Sequence, residues 1–278
     1  MRLVWQFLAV AAVALIGSQA VAAADGSPWP ALLLGLLTAV LAVPVYRWVV
    51  RRTERRQPAE LATSGVWGAT ARGALIGAAV FGAVIASLTF LGDFHIDGRG
   101  TVTGAIGLVG FMAAAAVTEE LLFRGILFRI AEERLGTWWA LTTTGSLFGL
   151  MHLTNEHATA WGALAIAIEA GGMLTAAYLA TRSLWLPIGL HFGWNFAESG
   201  IFSTEVSGNG ATHGLLDSST SGSALVTGGD FGPEASVYSV LFCILVTAAF
   251  LHLAHRRGHL RPRRRRAEQT DATDTLVR

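Results

Sequence analysis

Four sets of residues break otherwise apolar stretches of this 278-residue chain and are chemically able to act on a substrate. They are Glu119-Glu120-Leu121-Leu122-Phe123-Arg124, Phe148-Gly149-Leu150-Met151-His152, His191-Phe192-Gly193-Trp194-Asn195, and Glu169 standing alone. A carboxylate and an imidazole can share the deprotonation of a water molecule. Side-chain donors nearby can meet the negative charge of the tetrahedral intermediate that this water would form on a carbonyl. Ionisable groups inside apolar helices are costly to keep, which makes each of them a functional hypothesis.

Helical geometry assigns the groups to faces. Glu120 and Arg124 are four apart and stack on one face, where the guanidinium neutralises the carboxylate. Glu119 is turned about 100° away and points elsewhere. His191 and Asn195 are also four apart and share a direction, and Phe148 with His152 repeats the spacing, an aromatic ring beside an imidazole.

The elements that must hold these groups are membrane spans. The chain is 53% hydrophobic and only 14% charged, against about a quarter charged for a soluble domain. Apolar runs near Leu3–Ala23, Ala31–Val50, Ala69–Leu91, Val102–Ile130, Trp138–Leu153, Thr159–Ala180, Leu184–Phe202 and Val237–His255 alternate with short polar punctuation. Backbone groups in lipid must be satisfied within the segment, so helices are expected rather than strands. The expected fold is an all-α polytopic transmembrane bundle of about eight helices. At 1.5 Å per residue, Glu119 lies about 22 Å from Arg134, His152 about 22 Å from Thr137, His191 about 12 Å and Asn195 about 18 Å from Ser183. The four groups therefore share a layer.

Arginine positions set the expected orientation, since there is no lysine. Arg47, Arg51, Arg52, Arg55 and Arg56 follow the second run and Arg256 to Arg266 follow the last, whereas the charges of Thr204–Glu234 are all acidic. Short arginine-rich loops stay cytoplasmic, which puts both termini inside. Residues 1–30 read as an N-terminal anchor or signal-like segment with an outer loop, 31–255 as the bundle with its motifs at 111–196, and 256–278 as a basic cytoplasmic tail. The loop 203–234, rich in Gly, Ser and Thr, reads as mobile. Cys243 is the single cysteine and has no internal disulfide partner.

Glu119-Glu120-x-x-x-Arg124, Phe148-x-x-x-His152 and His191-x-x-x-Asn195, with Thr181 to Ile188 leading into the third, resemble the motifs of the CAAX prenyl endopeptidase and bacteriocin-processing family. The resemblance runs from about Phe111 to Phe196. It implies an intramembrane endopeptidase in which Glu119 and His152 activate a water, and His191 with Asn195 stabilise the oxyanion. Glu120, Arg124 and Phe148 would support them. Family members are often called metalloproteases. If zinc took part, Glu119, His152 and His191 would supply two histidines and one carboxylate around an open position. No His-Glu-x-x-His helix accompanies them, and no metal is assigned.

The expected substrate is a hydrophobic or membrane-tethered peptide, with the cavity entered from the cytoplasm. The expected setting is a lipid bilayer, and nucleic acid is not called for. The signal-like start and arginine-only basic composition point to a bacterial plasma membrane. There, peptide maturation, immunity to bacteriocins or turnover of membrane peptides fits better than prenylated substrates. The alternative from another class is a non-enzymatic membrane scaffold, or a proton or small-molecule carrier using the same buried groups. Glu169 matches no motif. Glu198, near a helix end, is expected to face outer water, and His95, His157 and His213 to be solvated in loops.

Overall fold

A computed structural model describes residues 1–24, 26–210 and 213–263; the last part of the basic tail, from residue 264, lies outside the described residues. The long helices are α1 (Arg2–Ala22), α2 (Pro28–Glu54), α3 (Val66–Leu91), α4 (Val102–Leu135), α5 (Thr137–Met151), α6 (Ala160–Thr181), α7 (Trp185–Asn195, continued as π-helix Phe196–Ile201) and α8 (Val237–Arg256). They occupy the eight apolar runs. Six of them are long and apolar enough to cross a membrane. The other two, α5 with 15 residues and α7 with 11, are shorter, below the length of about 20 that a full crossing needs. The chain is thus an all-α polytopic bundle. α5 stops just before the motif residue His152, whereas α7 carries His191 and Asn195 within it and runs on as the π-helix.

Sequence-local capping sets several starts. The side chains of Thr101, Thr159 and Ser236 accept hydrogen bonds from the backbone N–H groups of Gly104, Gly162 and Tyr238, satisfying donors that each first turn leaves open.

Small residues decide which helices touch. α3 lies against α7 so closely that a Cβ on Gly193 would overlap the carbonyl of Ala74, and one on Gly189 that of Thr70. α5 meets α6 the same way, Gly149 facing the carbonyl of Ala163. Close backbone approach of this kind is how helices associate where lipid removes the hydrophobic drive. The approach of α3 to α7 presents His191 and Asn195, which flank Gly193, to the centre of the bundle.

At the arginine-rich end, Arg129 bonds Glu54 at 2.7 Å and Gln6 of α1 at 3.1 Å. Arg182 bonds Glu132 at 2.6 Å. Glu60, between α2 and α3, accepts from Tyr46 at 2.6 Å and Arg56 at 2.8 Å. Burial pushes the Glu60 carboxyl up, and the Arg56 and Tyr46 hydrogen bonds outweigh it and hold it below the usual range.

The opposite end carries two strands absent from the sequence reading. β1 (Phe94–Arg99) pairs antiparallel with β2 (Leu216–Thr220), Phe94 opposite Thr220 and Arg99 opposite Leu216, with an irregularity between Ile96 and Gly98. His95, expected in a loop, lies on β1. The run 203–234, expected as a mobile loop, contains a strand, and its residues Val206, Ser207 and Glu234 pack on the bundle. The strands are too short and too polar on both faces to be read from alternation.

Candidate active site

Glu119 and Glu120 end the α-helical part of α4, and the next eight residues, Leu121–Phe128, form a π-helix. α6 is π-helical over Ala167–Leu174, around Glu169, and α7 over Phe196–Ile201, just past Asn195. Wide i→i+5 turns of this kind occur often at functional sites. Here each borders a polar residue of the bundle interior.

The neighbouring glutamates divide as their helical angle requires. Glu120 is fully buried, whereas the Glu119 side chain keeps 27% of its surface exposed. Glu120 Oε1 accepts from Arg124 at 2.7 Å and lies 3.1 Å from His191 Nδ1. Arg124 also donates to the Thr175 hydroxyl at 3.2 Å and to the Ala170 carbonyl. Its buried guanidinium sits 4.9 Å from the centre of the Phe148 ring, a cation–π contact. The expected pair Glu120–Arg124 therefore exists and carries α6 and Phe148 with it.

His191 joins the two glutamates. With Nδ1 toward Glu120, its Nε2 lies 3.9 Å from Glu119 Oε2, room for a small bridging group but not a direct hydrogen bond. His152 is placed differently from its expected position inside a span. It is the residue just past the α5 C-terminus, at the start of a 3-10 turn (His152–Thr154). Its Nδ1 lies 2.7 Å from the Phe148 carbonyl. A carbonyl only accepts, so Nδ1 is the donor, and the other ring nitrogen, Nε2, is not used in this contact. The contact also satisfies one of the carbonyls that a helix end leaves open. Phe148 packs beside the imidazole as expected, ring centres 4.9 Å apart.

One cavity of about 230 Å³ brings Glu119, Phe148, His152, His191 and Asn195 together. Its walls are otherwise mainly apolar, among them Leu108, Phe111, Met112, Ile166, Met173 and Leu190. The loop residues Val206, Ser207, Asn209 and Gly210 also line it. These belong to the acidic loop. Among the described residues, none from the arginine-rich end lines the cavity, and the lining reaches the opposite end of the bundle. The loop is fastened beside His152, Asn155 donating to the Ser207 carbonyl at 2.7 Å and the His157 amide to the Gly208 carbonyl at 3.0 Å.

Three glutamates at this end escaped assignment by sequence. Glu169 lines the cavity. Glu234, from the far end of the acidic loop, lines it too and accepts from Trp194 at 3.0 Å and Ser207 at 2.6 Å. Glu198, expected to face outer water, is fully buried, because the π-turn and the chain after it fold over it: the Thr204 amide donates to the Glu198 carbonyl at 3.0 Å. His157 is not simply solvated, since its Nδ1 meets Glu205 at 2.5 Å. Only the unmatched buried charge of Glu169 was visible beforehand.

Among the described residues no three His, Cys, Asp or Glu side chains converge as a metal-holding group; His191, with Nδ1 on Glu120, keeps Nε2 toward Glu119.

Residues 101–197 match a family model described as Type II CAAX prenyl endopeptidase Rce1-like. No curated protein and no solved structure matches the chain. The matched segment contains all three motifs, with Glu119, His152, His191 and Asn195 of the cavity, and over it this membrane protein is similar to the CAAX prenyl endopeptidase family.

Proposed function

We propose that the protein is an intramembrane endopeptidase that hydrolyses hydrophobic or membrane-tethered peptides with a water activated by Glu119 and His152. The observation that carries the reading is the meeting of Glu119, His152, His191 and Asn195, from α4, α5 and α7, in one largely apolar cavity. Glu119 is the carboxylate free to take a proton, because Arg124 and His191 occupy Glu120. His152, with Nδ1 held by the Phe148 carbonyl, offers Nε2 to the same work. A peptide carbonyl between them would be attacked by the water, Glu119 would take the proton and return it to the leaving amine, and the bond to nitrogen would break. Asn195, through its amide N–H, and His191, through Nε2 when protonated, would donate to the oxyanion.

The division of labour between the glutamates favours this reading over a scaffold, which has no use for a partly exposed carboxylate beside two imidazoles. The test uses purified protein and a library of hydrophobic peptides read by mass spectrometry. Glu119→Gln keeps shape and hydrogen bonding but cannot take the proton, so cleavage should fall by several orders of magnitude while the thermal transition stays in place. Unchanged cleavage by Glu119→Gln of any peptide cut by the wild type would remove the mechanism.

A further inference from the structure

Buried glutamates of this chain fall into two groups. Glu60, Glu120 and Glu132 each have an arginine within 2.8 Å. Glu169, Glu198 and Glu234 are as deeply buried and have no arginine or histidine in an ion pair among the described residues. All three sit on the acidic-loop side of the bundle. Glu169 is 2% exposed, lines the cavity, and neither of its oxygens has a hydrogen-bond partner. Glu198 lies against Glu234 and Trp194, with no donor at ordinary hydrogen-bond geometry for either carboxylate oxygen. Glu234 is held the other way, both oxygens accepting, one from Trp194 and one from Ser207. Glu234 is close enough to act electrostatically on both of the others.

Carboxylates buried without a counter-charge or donors weaken a fold, and glutamine would fill the same space at lower cost. Packing therefore does not explain three of them side by side. What distinguishes Glu169 and Glu234 from ordinary buried acids is that they face an enclosed, mainly apolar space large enough for part of a peptide. We propose that Glu169 and Glu234, with Glu198 behind them, form a cation-accepting wall of the cavity that receives a protonated amine or guanidinium of the substrate. The proposal rests on the endopeptidase reading and narrows it: the substrate is an apolar peptide that carries a positive group at this wall. The positive group comes from a basic side chain or from a free amino terminus, which present the same chemistry.

The test measures binding of synthetic apolar peptides to the full chain in detergent, in the Glu119→Gln background so that the peptides stay intact. One peptide carries a single arginine, a second has citrulline in its place, and each is made with a free and with an acetylated amino terminus. Hydrogen bonds to a charged group give an expected advantage of about 10- to 100-fold for a charged peptide over its neutral counterpart. An advantage for arginine over citrulline identifies the side chain as the source, and one for the free over the acetylated end identifies the terminus. Adding Glu169→Gln, which is isosteric and removes no hydrogen bond, should abolish the advantage and leave binding of the neutral peptide unchanged. Equal affinities for all four peptides, or an advantage undiminished by Glu169→Gln, would overturn the proposal. Tight binding of the charged peptide that the wild type does not cleave would sink the endopeptidase reading and leave the wall standing.

Discussion

Glu120 Oε1 lies 3.1 Å from His191 Nδ1 while accepting a 2.7 Å hydrogen bond from Arg124. One carboxylate oxygen thus fixes an imidazole of the third motif and compensates a guanidinium that is almost wholly buried. Glu120→Gln leaves Arg124 without its counter-charge, a loss of about 3–5 kcal/mol for a buried pair. The melting temperature in detergent should fall accordingly. Replacing both partners, as in Glu120→Gln with Arg124→Met, should recover part of it, because no uncompensated charge remains. A Glu120→Gln variant as stable as wild type would show that the pair is not what holds α4 to α6.

His152 and Asn195 should separate in their effects on cleavage. His152→Ala removes Nε2 and the contact to the Phe148 carbonyl, and should cost as much activity as Glu119→Gln. Asn195→Ala removes one donor and should leave measurable turnover, about 100- to 1000-fold below wild type. Full activity of Asn195→Ala in the same peptide assay would take it out of the oxyanion role.

The contact between α3 and α7 should tolerate no side chain. Gly193→Leu would drive a branched group into the backbone of Ala74, and overpacking of this kind costs about 1–3 kcal/mol or more. Gly82 on α3 is the control: a Cβ there meets nothing within 4 Å, so Gly82→Ala should leave the melting temperature equal or raise it. Cleavage should drop with Gly193→Leu and not with Gly82→Ala. Equal stability of the two variants would mean that α7 is not positioned by this contact.

The loop lining the cavity should loosen as pH rises. The hydrogen bond and charge of Glu205 raise the His157 pKa above its ordinary value of 6.5. A group with a raised folded pKa contributes stability fully below its unfolded pKa and loses it as pH climbs through the folded one. Glu205 also accepts from the Gly210 amide at 2.9 Å, so the pair secures the loop at both ends. Amide exchange, corrected for its intrinsic pH dependence, should show residues 205–210 better protected at about pH 6 than at about pH 9. His157→Gln should flatten that difference. A pH-independent protection in wild type would rule out the pair as the fastening.

Relations within a single helix were legible from the order of residues. Apolar runs announced the spans, and the four-residue spacing announced that Glu120 would meet Arg124, that Glu119 would face away, and that Phe148 would pack on His152. These relations are local, and helical periodicity enforces them even where α4 widens into a π-turn. Tertiary structure alone decided the rest. That one oxygen of Glu120 serves both Arg124 and His191 depends on α4 and α7 meeting at a particular register. The burial of Glu198 and the arrival of Glu234 beside Glu169 depend on the acidic loop folding back, held by Ser207, Trp194 and the strand pair. Its polar, glycine-rich composition carries no periodicity from which that return could be read, since contacts between residues far apart in the chain are paid for by packing and not by local propensity.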